Sequence, residues 1–374
     1  MLLHRLGHRV TLFERFAAPQ PIGSGLMIQP TGLAVLRALG LGDRLLAGGA
    51  RIDRLRGETT DPRRIVLDVH YSALRGQAFG IGVHRATLFA ILHDAVIAAG
   101  LTIEGARAIV GSTIIANGRR RLDFADGRSA GPFDLIVDAL GTRSTLAPPT
   151  GHALAYGALW GSLDWPDGAG FDGHALEQRY RRASVMAGVL PLGHGKAALF
   201  WSLRADRLQG WYDAGLAAWK DEVAALWPAT QPLLDQLVAS DQLTFARYAH
   251  RTLRTPAETG MIHIGDAWHS ASPQLGQGAN MALLDAYALM RGLKAHDEIS
   301  SALAAAVKMS RSHIHLYQAL TALFTPVYQS DGRMLPFVRD RLVGPLSRLW
   351  PATWIQAALV SGTIGNPLGK LGLS

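Results

Sequence analysis

The spacing of apolar residues along the chain predicts an alternation of helices and strands. In several stretches apolar side chains recur every three or four positions, which is the spacing of one helix face. Residues 1–6 have the pattern of a helix end that is capped at Gly7, and 8–15 follow as a strand. The longer helices are predicted over 30–46, 85–99, a stretch near 211–238, 278–293 and most of 301–374.

Two continuous apolar runs are typical of strands buried on both faces of a parallel sheet, namely 133–139 and 261–266. Shorter strands are predicted within 51–81 and between 101 and 125, and Asp126-Gly127 marks a hairpin turn after them. The pattern changes in 151–255, which is predicted to be a second, antiparallel module. Its strands are expected near 156–165, 176–182 and 196–204.

Composition limits the class of protein. The chain has 374 residues, of which 48% are hydrophobic and 18% are charged, so it can bury a substantial core. It contains no cysteine, which excludes disulfides, thiolate metal sites and cysteine nucleophiles. The sequence shows neither a signal peptide nor an apolar run long enough to span a membrane, and a cytoplasmic protein is therefore expected.

The formal net charge of +8 favours anionic partners such as phosphates, acidic substrates or a lipid surface. Basic residues are not interleaved with aromatic ones, so no nucleic-acid partner is expected. No metal site is expected either, because His313 and His315 point to different faces of one predicted helix. The basic segment 301–374, which contains Trp350 and Trp354, is expected to form a helical cap, a homodimer face or a peripheral membrane contact.

Three strand ends carry candidate chemistry. Glu14 lies near the end of the first strand, where an acid in a dinucleotide-binding fold accepts hydrogen bonds from ribose hydroxyls. Asp266 ends the strand 261–266, where a carboxylate can bind a sugar or ribityl hydroxyl. A third turn of small residues follows the strand 133–139.

A glycine-rich loop follows Asp266 and leads into the helix 278–293. It reads Pro273-Gln274-Leu275-Gly276-Gln277-Gly278-Ala279-Asn280. Glycines let the backbone approach a ligand closely. The free N–H groups at a helix start favour an anionic or electron-rich ligand atom. The loop is therefore predicted to bind a cofactor.

These segments resemble the FAD-dependent aromatic hydroxylases, the single-component flavoprotein monooxygenases of the p-hydroxybenzoate hydroxylase type. Residues 265–280 are similar to the family's Gly-Asp flavin motif, and 10–15 to its second strand with a ribose-binding acid. Residues 23–36 are similar to the loop and helix after that strand, and 83–88 to a helix start whose arginine approaches FAD.

The resemblance implies an oxidoreductase that hydroxylates an aromatic or hydrophobic small molecule with O₂ and NAD(P)H, through a flavin C4a-hydroperoxide. FAD would be the cofactor and NAD(P)H a co-substrate. Glu14 would bind the adenosine ribose, Arg85 would lie near the ribityl and pyrophosphate groups, and Asp266 would bind the ribityl chain. Pro273 would be the catalytic residue, beside the flavin ring. The ring would also meet the backbone of Gly276, Gly278, Ala279 and Asn280.

The implied fold class is α/β, with a doubly wound FAD-binding domain, an inserted antiparallel substrate sheet and C-terminal helices. The FAD-binding domain is expected to be discontinuous and to cover 1–40, 82–150 and 256–300. A substrate-binding β-sheet domain is expected over 41–81 and 151–255. The remaining residues, 301–374, are expected to form the C-terminal helical cap.

The sequence departs from the family pattern at two places. The Gly-x-Gly-x-x-Gly turn is expected about 20 residues before Glu14, which is upstream of Met1. The first βα unit is therefore expected to be missing, through a start assigned too far downstream. Leu140 stands where the family has an aspartate linked to FAD and NAD(P)H, and a leucine side chain accepts no hydrogen bond. Asp138 keeps the same strand face but not the location.

Two alternative functions stay open. Leu140 and the apolar, basic tail are compatible with a flavin-dependent reductase or dehydrogenase of a prenyl-type lipid. The other alternative is an N-terminally truncated, non-enzymatic remnant that binds no FAD. Hydrolase chemistry is not expected from Ser144 or Ser270, and His269 is expected to pack under the glycine-rich loop. One or two aromatic residues of the middle module are expected to line a substrate pocket, among Trp160, Trp165, Tyr180, Phe200 and Trp201.

Overall fold

Strands and helices alternate through the first three quarters of the chain, and the last quarter is helical. The computed structural model describes residues 1–20 and 23–373. The strands of the described part are β1 (Thr11–Phe13), β2 (Gly25–Ile28), β3 (Ala50–Ile52), β4 (Arg54–Thr60), β5 (Arg63–His70), β6 (Gly80–His84), β7 (Thr102–Glu104), β8 (Ile109–Ile114), β9 (Arg120–Phe124), β10 (Ser129–Phe133), β11 (Ile136–Asp138), β12 (His152–Asp164), β13 (Ala175–Arg181), β14 (Val185–Gly193), β15 (Lys196–Arg204), β16 (Thr244–Thr252), β17 (Ala257–Glu258), β18 (Met261–His263) and β19 (His269–Ser270).

The helices are concentrated in the C-terminal part of the chain. They are α1 (Leu2–Arg5), α2 (Pro30–Ala38), α3 (Gly42–Gly48), α4 (Arg85–Ala98), α5 (Leu208–Leu226), α6 (Gln231–Leu234), α7 (Gly278–Ala295), α8 (Ile299–Tyr328), α9 (Met334–Val338), α10 (Gly344–Leu346), α11 (Ala352–Ser361) and α12 (Pro367–Leu371). A π-helical turn, Arg339–Val343, joins α9 to α10. None of these described helices is both long enough and apolar enough to cross a bilayer.

The prediction of one helix over 30–46 is wrong, because a turn at Gly40 divides it into α2 and α3. Gly40 adopts a φ of +74°, in the left-handed region that glycine occupies most readily. The N–H of the next residue, Leu41, donates to the carbonyl of Leu36 at 2.8 Å, which ends α2. The strands β2, β10, β14, β16, β17 and β19 were not predicted. The other predicted helices and strands are present, with bounds shifted by a few residues.

Two parallel strand pairs form the doubly wound part of the fold. β1 pairs with β7, and β11 pairs with β18. Among the described residues no strand hydrogen-bonds to both pairs, so they are two separate sheets. Glu14 follows β1 and Asp266 follows β18, so both acids lie at carboxyl ends of parallel strands, where ligands bind in open α/β sheets.

The largest sheet has eight strands in the order β19-β16-β12-β15-β14-β13-β4-β5. It includes strands from both 41–81 and 151–255. The strands of 151–255 pair antiparallel, as predicted, and β4 of 41–81 joins β13 in parallel. One face of the sheet packs against α5 and α6 around Trp201 and Trp219. The other face packs against Met27 of β2, Val360 of α11 and Tyr328 of α8.

Candidate active site

Asp266 follows β18, at the carboxyl end of the parallel pair β11–β18. It belongs to a tight turn, Gly265–Ala267, which packs on the start of α7. Enclosure by the surrounding protein raises the pKa of Asp266 above its ordinary value, while the charges of His269 and Arg85 act in the opposite direction. The side chain is nevertheless accessible to solvent. A carboxylate that is surrounded by protein and still open to solvent can bind the hydroxyl groups of a ligand.

Arg85 is the first residue of α4, and its side chain is exposed next to the glycine turn before β2. The ring Nδ1 of His84 accepts a hydrogen bond from the N–H of Ala86 at 3.1 Å and so caps the helix. A Cβ added to Gly23 would lie 2.9 Å from Nε of Arg85. Arg85 lies near enough to Asp266 for its positive charge to favour the ionised carboxylate and to act against the rise in the pKa of Asp266.

Glu14 lies at the end of the other parallel pair. Its Oε1 accepts a hydrogen bond from the N–H of Phe16 at 3.0 Å, and the side chain is half-buried. Its second carboxylate oxygen makes no side-chain or backbone hydrogen bond within the described part of the chain. The structure does not place Glu14 in contact with Asp266. A ligand that reached both acids would have to extend from one parallel pair to the other.

The loop from Pro273 to Gly278 leaves open space at the start of α7. Pro273 is exposed and begins a single 3-10 turn, which ends at Gly276 with a φ of +62°. A Cβ added to Gly276 would meet only the ends of Gln29 and Met27, at 3.7 and 3.9 Å, and one added to Gly278 would meet no atom within 4 Å. The first N–H groups of α7 have no partner inside the helix.

Asn280 holds this loop in place. The side chain is fully buried, and its Oδ1 accepts a hydrogen bond from the N–H of Gln29 at 2.8 Å. Its Nδ2 donates to the carbonyl oxygens of Met27 and Gly276 at 3.3 and 2.9 Å. With its side chain occupied in this way, only the backbone of Asn280 remains for a cofactor.

Sequence analysis did not identify Gln29 or Tyr71, which lie behind the loop. The hydroxyl of Tyr71 donates to Oε1 of Gln29, and both residues are fully buried. Nε2 of Gln29 has no partner in the described structure, although it lies close to Gly276. A buried donor without a partner is costly, and a polar planar ligand over Gly276 would satisfy it. No pattern in the sequence marks either residue.

His269 is buried and pairs with Asp285 of α7. Its Nε2 lies 2.6 Å from Oδ2 of Asp285, which also accepts the N–H of Gly265 at 3.0 Å. Burial alone would lower the pKa of His269, but the charge and hydrogen bond of Asp285 outweigh it and raise the pKa. The pair therefore fastens the Asp266 turn to α7.

Both carboxylate oxygens of Asp138 are also engaged in contacts within the protein. Its carboxylate accepts hydrogen bonds from Ser144 Oγ at 2.6 Å and the N–H of Leu140 at 2.9 Å, and it lies 2.6 Å from Nδ1 of His263. Although burial acts against them, these contacts hold the pKa of Asp138 below its usual range. Ser144 and His263 share one carboxylate oxygen, an arrangement that differs from a hydrolytic triad. Asp138 cannot replace the aspartate that the family has at Leu140.

Comparison with known proteins identifies the fold of this site. Residues 168–303 match the family described as FAD binding domain. The aurachin C monooxygenase/isomerase of Stigmatella aurantiaca is 27% identical over 363 residues, which cover 92% of this chain and 90% of that protein. The chain is therefore similar over most of its length to FAD-dependent monooxygenases, and the comparisons support an FAD-dependent oxidoreductase.

Solved structures share the fold of this monooxygenase over nearly its whole length. The tetrameric form of 2-methyl-3-hydroxypyridine-5-carboxylic acid oxygenase has a TM-score of 0.80 at 19% identity, covering 98% of this chain and 93% of that one. HpxO of Klebsiella pneumoniae, in complex with FAD and uric acid, has a TM-score of 0.75 at 16% identity, covering 94% and 91%. The predicted α/β fold class and the FAD cofactor are confirmed.

Proposed function

We propose that this monooxygenase hydroxylates a flat aromatic or other hydrophobic small molecule, with O₂ and NAD(P)H as co-substrates. One observation carries the proposal: an aromatic wall on the large sheet is tied to the Pro273 turn by hydrogen bonds. The similar proteins support it, because a hydroxypyridine carboxylic acid and uric acid, both named with them, are planar ring compounds. The comparisons do not support the reductase or the non-enzymatic remnant.

The aromatic wall is formed by β12, β15 and β16. The rings of Trp160 and Phe200 lie 4.7 Å apart, and the indole N–H of Trp160 donates to the hydroxyl of Tyr248 at 3.1 Å. Trp160 and Tyr248 are partly exposed. Aromatic side chains suit the stacking of flat apolar rings, and a few hydroxyl groups can then fix the orientation of such a ring.

Two glutamines connect this wall to the Pro273 turn. Nε2 of Gln274 donates to Oε1 of Gln329 at 3.2 Å, and Nε2 of Gln329 donates to the carbonyl of Gly157 at 3.1 Å. Gly157 lies on β12, three residues before Trp160. The turn beside the expected flavin ring and the wall that would receive the substrate therefore hold a defined separation.

The residues of the candidate site fit FAD. We propose that Glu14, Arg85 and Asp266 hold its ribose, ribityl and phosphate regions, while the backbone of Gly276, Gly278, Ala279 and Asn280 supports the ring. Bound FAD would supply the redox chemistry, taking a hydride from NAD(P)H and activating O₂. The chain itself would orient the substrate ring with Trp160, keep the loop rigid through Asn280, and exclude water at Pro273.

We also propose the division into an FAD-binding domain over 1–40, 82–150 and 256–300, a substrate domain over 41–81 and 151–255, and a cap over 301–374. The joining of β4 and β5 to the strands of 151–255 supports this division. The exposed apolar residues of the cap favour a partner, either a lipid surface or a second copy of the chain. A cytoplasmic location stays a prediction.

The test combines spectroscopy and product analysis on the purified chain with added FAD. We expect flavin absorption bands, consumption of NAD(P)H and O₂ in the presence of an aromatic substrate, and a product one oxygen atom heavier. Absence of flavin bands with excess FAD would contradict cofactor binding. Reduction of a prenyl-type lipid without oxygen consumption would instead establish the reductase.

A further inference from the structure

Exposed apolar side chains are concentrated in one short segment of the monooxygenase. Of the twenty exposed large hydrophobic residues of the described structure, eleven lie between Met334 and Ile355. Met334 is 81% exposed and Trp350 is 84% exposed. Single exposed apolar residues are normal on protein surfaces, whereas a continuous group of this size marks an interaction site. We name residues 334–355 the apolar ridge.

The apolar ridge is fixed to the body of the protein by its inner face. Arg339 is buried, donates to the carbonyl oxygens of Val327 and Arg182 at 3.0 Å each, and lies over the ring of Tyr180 at 5.0 Å. Gly344 packs so closely on β5 that an added Cβ would lie 3.0 Å from the carbonyl of Ile65. Because the inner face is anchored, the outer apolar face is a property of the folded structure and not of a loose tail.

Two neighbouring cavities lined by arginines border the apolar ridge, and we name them together the arginine cleft. A cavity of about 520 Å³ is lined by Arg64, Arg182 and Arg341, with Phe337 of the ridge at its edge. A neighbouring cavity of about 470 Å³ adds Arg348 and two further arginines. Seven arginines line the two cavities, against three acidic residues. One of the acids, Glu58, is buried and paired with arginines, and another, Asp340, is paired with Arg339. The cleft is therefore positively charged.

We propose that the monooxygenase docks on anionic lipid bilayers, with the apolar ridge in the headgroup region and lipid phosphates in the arginine cleft. Tryptophan at the ridge suits a membrane interface, where an amphipathic ring lies at headgroup level. Arg341 lies over the ring of Phe337 at 4.6 Å, so cationic and apolar groups share one surface. The proposed attachment is peripheral.

Charge favours a lipid surface over a second copy of the chain. A symmetric dimer across the apolar ridge would bring equivalent surfaces of two copies together. Arg341, which lies beside Phe337, and Arg348 would then face arginines of the other copy. Repulsion between these like charges would destabilise the dimer. An anionic bilayer neutralises the same arginines while it receives the apolar side chains. Each arginine near such a surface strengthens binding by about fivefold.

The test is cosedimentation of the FAD-loaded, full-length chain with two kinds of vesicle, phosphatidylcholine alone and phosphatidylcholine mixed with phosphatidylglycerol. We expect binding to the anionic vesicles that weakens in high salt, and little binding to neutral ones. Trp350→Ser and Arg348→Glu should each weaken binding by about fivefold or more. Val238→Ser, at a site 84% exposed after α6, and Arg254→Glu, at an exposed loop residue, are the matched controls.

Flavin absorption and activity towards a water-soluble substrate should be the same in all four variants, because none of the changed residues belongs to the proposed site. Vesicle binding that is absent, or that the controls weaken equally, would overturn the proposal. A change in oligomeric state on Trp350→Ser, measured by light scattering, would assign the ridge to a second copy instead. Saturable binding of glycerol phosphate without any binding to vesicles would reduce the cleft to a soluble-phosphate site and overturn membrane docking.

Discussion

The buried amide of Asn280 accepts a hydrogen bond from the backbone N–H of Gln29, which lies 251 positions earlier in the chain. The same side chain donates to Gly276. One residue therefore joins the end of β2 to the glycine-rich loop and to the first turn of α7. The shape of the proposed flavin site depends on this long-range contact.

Asn280→Ala is expected to destabilise the monooxygenase by about 2 kcal/mol, because it leaves the buried N–H of Gln29 without an acceptor. Thermal unfolding should occur several degrees lower, and FAD should bind more weakly because the loop is no longer held. The exposed residue Gln209, changed to alanine, is the control. Unchanged unfolding and FAD affinity in Asn280→Ala would show that the loop holds its shape without this contact.

Asp266→Ala is expected to weaken FAD binding by about tenfold or more, the loss of one charge-assisted hydrogen bond. Thermal stability without FAD should change little, since Asp266 makes no side-chain hydrogen bond in the described structure. Fluorescence titration with FAD measures the effect, and Asp213→Ala on the exposed face of α5 is the control. Equal affinities in the two variants would contradict the proposed role of Asp266.

Trp160→Leu is expected to raise KM for an aromatic substrate by about fivefold, since it removes a stacking surface worth about 1 kcal/mol. The flavin spectrum should not change, because Trp160 belongs to the sheet and not to the glycine-rich loop. Trp165→Leu, which alters the opposite face of the sheet beside Phe171, is the matched control. A rise in KM of the same size in both variants would indicate a general loss of structure.

The His269–Asp285 pair predicts a pH dependence of stability. The pKa of His269 is raised in the folded protein, so the pair's contribution is complete below the unfolded value of about 6.5 and is lost as pH rises through the folded value. The stability difference between the native chain and Asp285→Asn should therefore be largest in mild acid and shrink towards alkaline pH. Thermal unfolding across this range measures it, and a constant difference would contradict the prediction.

Local patterns in the sequence were sufficient for much of the fold. The helix start at Arg85, the buried strands before Asp138 and Asp266, and the Asp126-Gly127 turn depend on residues a few positions apart. The break at Gly40 was missed because the apolar residues of 30–46 keep helical spacing on both sides of it. A single glycine also occurs inside helices, so Gly40 alone did not predict a break. The strand β14 was missed because Gly188 and Pro191, residue types that are rare inside strands, interrupt its apolar run.

The sequence alone predicted the fold class and the FAD cofactor, since the strand ending in Asp266 and the loop from Pro273 to Asn280 are contiguous motifs. Only the tertiary structure decided which groups surround them. Gln29 and Tyr71 lie behind the loop, and Gln329 ties it to β12, through contacts between residues far apart in the chain. Exposure of the apolar ridge is likewise set by the anchoring of Arg339 and Gly344. Such contacts follow from packing in three dimensions, and sequence periodicity, which reports one element at a time, does not contain them.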